Sequence, residues 1–381
     1  MMIYFDNAAT SYPKPPCVLQ EIIRATREDG GNPGRGGHRL AMRAAQTVYR
    51  TREDAAAFFG SSRPENVVFC ANATAAIHTA VHALARRGNI VISDMEHNSV
   101  YRAVLGMREA GCTVTVFRTD PDPNVCLRSF RNALNPNTTL CVLCHSSNIV
   151  PQTLPLAQMG KICRQRGIRL IADVSQSAGH IPVSIGEIGA DALCMPGHKG
   201  LFGPQGTGIL LFGDQWKQEQ VATLPQVVRG GSGAMSASPD MPPFLPDRYE
   251  AGTVNTAGIA GLGAGIRYLS HHGLAAVRGQ EDAVYLRLRD GLANDPHTEL
   301  FLPGQTHGSL LLCRRDDLPA ETVSHLLDEQ GICVRAGLHC CPLGHRRLGS
   351  EETGAVRISL SHFNDLRQAD VFLSAWSHLA P

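Results

Sequence analysis

One lysine of this chain lies among glycines, in residues 197–200 (Gly-His-Lys-Gly), directly after an apolar run. Residues 190–195 predict a short buried strand, so Lys199 would lie at the carboxyl end of that strand, where α/β proteins place their functional groups. An amine that is partly desolvated there has a lowered pKa and can form a Schiff base with a carbonyl group. The alternative is a lysine in an ordinary glycine-rich turn.

Polar side chains also follow the neighbouring apolar segments, at the points where each predicted strand ends. A helix start offers backbone N–H groups to an anion, a histidine ring offers a stacking surface, and a buried carboxylate needs a cationic partner such as a protonated pyridine nitrogen. The set therefore predicts a site for a phosphate-bearing aromatic cofactor, although Thr74 by itself is also typical of a helix N-cap. The residues are Ala73 and Thr74 after strand 67–70, His97 after 90–93, Asn148 after 140–143, and Asp173 and Gln176 after 169–172.

The segments that must position these residues alternate between strand-like and helix-like patterns from residue 65 to residue 212. Apolar strands separated by helices indicate a mostly parallel sheet with helices on both faces. An irregular loop follows at 230–247, and a second α/β set comes after it. We therefore predict a large domain with a seven-stranded sheet over residues 15–258. A smaller C-terminal α/β domain would take residues 259–381 together with the N-terminal segment 1–14.

The composition restricts the classes of partner. The chain has 381 residues, a formal net charge of +1 and 43% hydrophobic residues, which gives no reason to expect nucleic acid or an anionic membrane as a partner. No apolar run approaches the roughly 20 residues that span a bilayer, and the N-terminal residues lack the pattern of a signal peptide. Most of the twelve cysteines lie in apolar stretches and are typical of reduced thiols, so we expect a cytoplasmic protein.

Five segments in combination carry a resemblance to a known family. They are residues 6–10 (Asp-Asn-Ala-Ala-Thr), 96–97 (Glu-His), 173–176 (Asp-Val-Ser-Gln), 198–199 (His-Lys) and 250–253 (Glu-Ala-Gly-Thr). With them the chain resembles the class V aminotransferase-like group of fold type I pyridoxal-phosphate enzymes, most closely the cysteine desulfurase and selenocysteine lyase branch. The resemblance runs nearly from end to end of the chain and implies that fold.

The resemblance implies a role for each residue of the predicted site. Lys199 is the lysine that binds pyridoxal 5'-phosphate covalently, and Asp173 pairs with the pyridinium nitrogen. His97 stacks on the ring and belongs to the catalytic residues with Lys199. The remaining cofactor-binding residues are Asn148 and Gln176 near the ring hydroxyl, Ala73, Thr74 and His198 at the phosphate, and Thr253, which reaches the phosphate from a second subunit and so implies a homodimer.

Pro196 departs from the family pattern. The family usually has Ser or Thr two residues before the His-Lys pair, where the hydroxyl donates to the phosphate, whereas Pro196 offers neither a hydroxyl nor an N–H. We therefore expect one phosphate contact to be missing or to be supplied by water or another residue.

Residues 335–342 (Arg-Ala-Gly-Leu-His-Cys-Cys-Pro) point to the reaction. In cysteine desulfurases with a short loop, an Arg-x-Gly-x-His-Cys stretch carries the nucleophilic cysteine, and Cys340 matches that position. Arg357 matches the arginine that binds the substrate carboxylate, a task that suits a guanidinium fork. Arg335 and Asn148 complete the implied substrate-binding set. We expect His339, Arg335 and Arg357 to favour the thiolate form of Cys340.

The activity that the resemblance implies is the removal of sulfur from L-cysteine. Lys199 takes the Cα proton, the Cys340 thiolate attacks the substrate sulfur, and the products are L-alanine and a Cys340 persulfide. Such sulfur serves iron–sulfur cluster assembly, but the sequence does not identify the acceptor. Open alternatives are a selenocysteine lyase, an aminotransferase or epimerase of the same fold, and a non-catalytic member, which Pro196 brings into consideration.

Cys341 is a candidate second thiol beside Cys340. The family commonly has a small residue there, so one interpretation is a small buried filler equivalent to alanine. The other is a thiol that accepts sulfur from Cys340 or forms a strained, labile disulfide with it. A metal site built from residues 339–341 and His345 is disfavoured by the clustered spacing, so we expect no metal.

Overall fold

The computed structural model describes residues 2–34, 36–303 and 309–380. Within them the chain forms short buried strands and intervening helices. In chain order these are β1 (Ile3–Tyr4), α1 (Pro16–Glu28), α2 (Arg39–Phe58), β2 (Val67–Cys70), α3 (Ala73–Leu84), β3 (Asn89–Ser93), α4 (Asn98–Gly106), β4 (Thr113–Phe117), α5 (Pro123–Ala133), β5 (Thr138–Cys144), α6 (Leu156–Gln165), β6 (Arg169–Asp173), α7 (Ile185–Ile188), β7 (Ala192–Pro196), β8 (Gly208–Phe212), α8 (Gln218–Val221), α9 (Thr256–His272), α10 (Leu274–Ala293), β9 (Thr298–Leu300), β10 (Leu310–Arg315), α11 (Ala320–Glu329), β11 (Ile332–Cys333), β12 (Arg335–Gly337), α12 (Pro342–Leu348), β13 (Ala355–Ser359) and α13 (Leu366–Ser377).

The predicted mostly parallel sheet is confirmed. Seven strands lie in the order β2-β8-β7-β6-β5-β3-β4, and β8 is antiparallel to both of its neighbours, β2 and β7. The pairs from β4 across to β7 are all parallel. Because parallel strands end at the same edge, the carboxyl ends of β3, β5, β6 and β7 face one side of the domain.

Helices cover both faces of this sheet. In β3, Ile90 and Ile92 pack in one hydrophobic cluster while Val91 packs in another, and all three are fully buried. This follows from the alternation of side chains along a strand, and it explains why the strand sequences are continuously apolar rather than alternating.

Side-chain caps begin the helices that follow the site-bearing strands. Asn72 accepts a hydrogen bond from the Ala75 N–H at the start of α3, and His97 accepts one from the Ser99 N–H at the start of α4. Such caps satisfy N–H groups that have no partner inside the helix, so they fix the first turn close to the strand end.

A second α/β layer contains the four-stranded antiparallel sheet β12-β13-β10-β9 and the helices α10, α11 and α13. Ile3 and Phe5 of the N-terminal segment pack in its core, and Asp6 pairs with Ser359. The expected division between residues 258 and 259 falls inside α9, which packs against α1 and α2. That boundary stays a prediction.

A buried ion pair ties residues 250–253 to the large sheet. Arg52 Nη2 lies 2.5 Å from Glu250 Oε2, and both side chains are 7% exposed. Glu250 Oε1 also accepts from the Phe69 N–H of β2. A paired and hydrogen-bonded charge tolerates such burial, and its geometry fixes the register of the loop against the strand. None of the helices in the described residues is long and apolar enough to cross a membrane.

Candidate active site

A cleft of about 230 Å³ lies at the carboxyl ends of the parallel strands. It brings together the residues predicted for the cofactor and the substrate, except Thr253. The predicted residues that line it are Ala73, Thr74, His97, Asn148, Asp173, Gln176, His198, Lys199, Arg335 and Arg357. The structure therefore brings together the residues that the strand-end argument grouped.

Lys199 and Asp173 lie together in this cleft. Asp173 is 4% exposed and ends β6, where both the N–H and the hydroxyl of Ser175 donate to its Oδ1. Burial raises the pKa of Asp173, while these hydrogen bonds and Lys199 act in the opposite direction. Burial lowers the pKa of Lys199 to about 8, and the Asp173 carboxylate opposes that shift. At pH 7 about a tenth of the Lys199 amine is therefore neutral and nucleophilic, far more than at the ordinary lysine pKa of about 10.4.

The His97 ring has a fixed tautomer. Its Nδ1 accepts from the Ser99 N–H at 3.0 Å and lies 2.8 Å from the Ser99 hydroxyl, so in the neutral ring the proton is on Nε2. Burial, with Lys199 adding to it, lowers the pKa of His97 to about 4. The ring is neutral at physiological pH, and the helix cap holds it in the cleft.

The cleft also contains groups that can bind an anion. Ala73 and Thr74 lie in the first turn of α3, whose N–H groups have no partner within the helix. His198 Nδ1 is buried without a hydrogen-bond partner in the described part of the chain. Pro196 also lines the cleft, and its ring adds no donor there.

Arg357 is 1% exposed and spans the two sheets. Its Nη2 donates to Asp6 Oδ1 at 2.8 Å, and its Nη1 donates to the Asn148 backbone carbonyl at 3.0 Å. Its Nε is buried without a partner among the residues that the structure describes. Arg335 is its direct neighbour across the β12–β13 pair. Two guanidinium groups thus line the cleft side by side.

Cys340 and Cys341 point in different directions. Cys340 is the exposed one of the twelve cysteines, all of which lie in described residues, whereas Cys341 is fully buried. His339 and Cys340 have φ values of 51° and 55°, which place two consecutive non-glycine residues in the left-handed region. Burial raises the pKa of the Cys341 thiol to about 12. The filler interpretation of Cys341 is therefore favoured over the second-thiol interpretation.

His339 differs from its expected role. Burial, with a contribution from Arg357, lowers the pKa of His339 to about 3. The ring is therefore uncharged at physiological pH and does not stabilise a thiolate by its charge. Proximity in the sequence does not reveal this desolvation, and the expectation that Arg335 and Arg357 favour the Cys340 thiolate stays a prediction.

Thr253 lies outside the cleft. Its side chain is exposed, and its hydroxyl accepts from Asn32 Nδ2 at 3.2 Å. This exposure leaves the residue accessible to a second copy of the chain. A larger cleft of about 1060 Å³ lies between the start of α2 and the loop 229–242, and none of the predicted site residues lines it.

Sequence reasoning missed several residues that line the cleft. A local signal existed for some of them, since Asn72 is a helix cap, Ser99 follows the predicted His97, and Ser175 lies inside a motif already used. Cys144 at the end of β5 belongs to residues 141–145, which formally match the c-type haem attachment pattern, but its apolar surroundings favoured a core residue. The missed residues are Ala8, Ala9, Asn72, Ser99, Cys144, Ser146 and Ser175. Ala8 also contacts a predicted residue, because Gln176 Nε2 donates to its carbonyl at 3.1 Å.

The donor set of the cleft fits a phosphate-bearing aromatic aldehyde such as pyridoxal phosphate. A partly neutral amine can bind the aldehyde, and a buried carboxylate suits a protonated ring nitrogen. The unpartnered Nδ1 of His198 and the first turn of α3 suit the phosphate.

Comparison with known proteins supports a pyridoxal-phosphate enzyme as well. The model of the aminotransferase class-V family matches residues 3–372. A probable cysteine desulfurase of Methanothermobacter thermautotrophicus is 32% identical over 368 residues, which cover 95% of this chain and 90% of the relative. A probable cysteine desulfurase of Mycolicibacterium paratuberculosis is also 32% identical, over 389 residues, and this chain spans 55% of its length.

A solved structure agrees with the architecture. The apo structure of a cysteine desulfurase from Thermococcus onnurineus NA1 superimposes with a TM-score of 0.91 at 29% identity, covering 99% of this chain and 94% of that one. The predicted fold type I architecture is thereby confirmed. With a family model that matches nearly the whole length, the chain belongs to the class V aminotransferase family.

Proposed function

We propose that this chain is a pyridoxal-phosphate-dependent cysteine desulfurase that converts L-cysteine to L-alanine and a Cys340 persulfide. The observation that carries the proposal is one exposed thiol on a left-handed turn beside a cleft that contains Lys199, Asp173 and Arg357. The Asn98 N–H donates to the Cys340 carbonyl at 2.7 Å, so this turn is bound directly to the start of α4, beside His97.

The cofactor would be held by residues from both ends of the cleft. When bound, pyridoxal phosphate supplies an electron sink for charge that develops on the substrate Cα. Lys199 would bind it covalently and Asp173 would pair with its ring nitrogen. The cradle around it is proposed to be His97 against the ring, Asn148 and Gln176 near its hydroxyl, and Ala73, Thr74 and His198 at its phosphate.

The chain's own groups account for substrate binding and proton transfer. The Arg357 guanidinium, with Arg335 beside it, binds and orients the substrate carboxylate. The Lys199 Nζ, with its lowered pKa, takes the proton from Cα. The exposed Cys340 Sγ attacks the substrate sulfur.

The sulfur transfer from L-cysteine to Cys340 conserves atoms and electrons. An S–S bond forms between Cys340 and the substrate sulfur, and the Cβ–S bond breaks with its electron pair remaining on Cβ. Protonation of that carbon gives the methyl group of alanine. Cysteine and the Cys340 thiol thus become alanine and the Cys340 persulfide, so no external oxidant is needed.

The test is incubation of the cofactor-loaded protein with L-cysteine. We expect alanine to form without an added keto acid, and sulfide to form in proportion when a reducing thiol is present. Alanine that forms only when a keto acid is supplied would indicate an aminotransferase, and activity only with L-selenocysteine would indicate a lyase for that substrate. No product with either amino acid would contradict the proposal.

The pH dependence of cofactor attachment follows from Lys199. Its pKa is about 8, so the amine loses its proton and becomes nucleophilic as the pH rises through that value. In protein stripped of cofactor, the rate of covalent attachment should rise through pH 8 and level off about one unit above it, whereas an exposed lysine would titrate at about 10.4.

Lys14 provides the matched control for this measurement. Its pKa is also lowered to about 8 by burial, and its Nζ donates to the His198 carbonyl at 3.3 Å. Lys14→Gln should leave the pH profile unchanged when the absorbance of the lysine-bound cofactor is followed. A rate that keeps rising to pH 10 would refute the lowered pKa of Lys199.

We further propose a cytoplasmic homodimer in which Thr253 reaches the partner's cofactor phosphate. Twelve unpaired cysteines are consistent with a reducing compartment. The exposed Thr253, together with the exposed apolar Leu40, Met42 and Tyr49 of α2, offers a surface for a second copy. Sedimentation velocity of the purified protein tests this, and a monomer at micromolar concentration would contradict it. We propose iron–sulfur cluster assembly as the use of the persulfide sulfur, without naming an acceptor.

A further inference from the structure

Three buried side chains form a continuous hydrogen-bonded chain behind the Cys340 turn, which we define as residues 338–341. His339 Nε2 lies 3.1 Å from the Arg335 carbonyl, and His339 Nδ1 lies 3.2 Å from His345 Nε2. His345 Nδ1 lies 2.8 Å from the Ser350 hydroxyl. His339 is 3% exposed, and His345 and Ser350 are completely buried.

The proton positions in this chain follow from one fixed acceptor. The Arg335 carbonyl can only accept, so His339 Nε2 carries a proton and donates to it. In a neutral ring His339 Nδ1 must then accept, which makes His345 Nε2 the next donor. His345 Nδ1 accepts in turn from the Ser350 hydroxyl. Each bond has one donor and one acceptor, so a single arrangement satisfies every group.

Both rings stay neutral in this setting. Burial lowers the pKa of His339 to about 3 and that of His345 to about 4. The cations Arg335 and Arg357 face His339 and disfavour a second proton on its ring. For His345, the hydrogen bond with Ser350 raises the pKa but does not offset the effect of burial. Neither ring nitrogen of His339 is free to act as a base toward Cys340.

The turn itself needs such support. Left-handed conformations at His339 and Cys340 are unfavourable for residues with a Cβ, and they persist only where surrounding contacts hold them. The backbone carbonyls are held by the large sheet domain, because Asn148 Nδ2 donates to the His339 carbonyl and the Asn98 N–H donates to the Cys340 carbonyl, each at 2.7 Å. Among the residues that the structure describes, the His339 ring makes the hydrogen bonds given above, and it stacks on the His345 ring with the centroids 5.4 Å apart.

We propose that His345 and Ser350 are positioning residues, whose hydrogen-bonded chain through the His339 ring fixes the left-handed turn that presents the Cys340 thiol. The inference rests on the proposed function in that it takes Cys340 as the nucleophile. It predicts that the two residues affect the reaction at the thiol and not the binding of the substrate carboxylate, which Arg357 performs.

The test compares Ser350→Ala, His345→Leu and His345→Gln in the cofactor-loaded protein. Loss of one or two bonds in the chain should lower kcat for alanine formation about fivefold to twentyfold and leave KM for L-cysteine within about twofold. His345→Gln keeps a donor toward His339 and should recover most of kcat. The matched control is His325→Leu, at a histidine of α11 whose side chain is 72% exposed, and it should change neither constant.

A second measurement does not depend on the activity. Hydrogen–deuterium exchange at the Cys341 amide, which donates to the Leu338 carbonyl, should become at least about tenfold faster in Ser350→Ala and His345→Leu and stay unchanged in His325→Leu. Nitrogen-15 spectra of the imidazoles should show neutral rings protonated at Nε2 for both His339 and His345 at pH 6.

The outcomes separate this inference from the proposed function. A wild-type protein that forms no alanine refutes the proposed desulfurase function. The exchange and imidazole data still decide whether the hydrogen bonds through His339 and His345 fix the Cys340 turn. Unchanged kcat in folded Ser350→Ala and His345→Gln, unchanged exchange at Cys341, or a protonated His339 Nδ1 would each overturn the positioning role. If His345→Leu does not fold, the other two variants decide.

Discussion

Replacement of Lys199 by alanine is expected to lower alanine formation from L-cysteine by about 10³-fold or more. The variant removes both the amine that we propose binds the cofactor and the proposed base for the Cα proton, and positioned acid–base groups alone contribute about 10²–10⁴-fold. The variant should also lose the absorbance of the lysine-bound cofactor. Turnover and the spectrum are measured on the same preparation.

Lys199→Ala should fold normally. The folded protein lowers the pKa of Lys199, which means that the folded state disfavours the charged amine, so removing it does not remove a stabilising charge. Asp173 loses a neighbouring cation but keeps both bonds from Ser175. Lys14→Ala is the control, because it removes a second half-buried lysine near His198 without removing the proposed base. Turnover above about one tenth of wild type in Lys199→Ala would exclude the assigned role.

Replacement of Cys340 by serine is expected to abolish the persulfide and to lower sulfur release by at least about 10²-fold, since a hydroxyl is a far weaker nucleophile than a thiol. Serine is nearly isosteric and its exposed site demands no repacking. The persulfide is detected as the mass of one added sulfur atom on the peptide that contains residues 336–346, and fragment spectra assign it to one of the two cysteines.

Cys341→Ser is the matched control for this experiment. Cys341 is fully buried, and burial raises its pKa to about 12. Its Sγ packs closely against Gly344, because a Cβ added at that glycine would lie only 2.8 Å from the sulfur. We expect this variant to keep the Cys340 persulfide and to fold, because Cys341 is the N-cap residue of α12 and a serine hydroxyl there can accept from the Gly344 N–H. Persulfide lost only in Cys341→Ser, or found on Cys341 in Cys340→Ser, would assign the nucleophile to Cys341.

The helices before the first predicted strand show where sequence reasoning stopped short. The prediction of alternating elements began at residue 65, so α1 and α2 were not identified, nor was α5 between β4 and β5. A signal was present in α2, where the buried Ala41, Ala44 and Val48 recur at helical spacing. The strands predicted at 67–70, 90–93, 140–143, 169–172 and 190–195 lie within two residues of the bounds of β2, β3, β5, β6 and β7. The short elements β1, β9, α7, α8 and α12 were not predicted.

For the candidate site, the sequence predicted which residues line the cleft more successfully than it predicted their protonation states. Residues at the ends of parallel strands converge whatever the details of packing, which is why Thr74, Asn148 and Asp173 meet in one cleft. Burial keeps the His339 ring neutral, a state that its position next to Cys340 in the sequence does not reveal.

The sequence by itself determined the residue types at the strand ends and, through its motifs, the family, and it predicted the cofactor class and the candidate nucleophile. The tertiary structure alone decided which adjacent cysteine is exposed, how the buried histidines behind Cys340 share their protons, and that Arg357 is held by Asp6 and the Asn148 carbonyl. The reason is physical: strand alternation and motif spacing are local. Desolvation and hydrogen bonds between groups some two hundred or more residues apart exist only once the chain has folded.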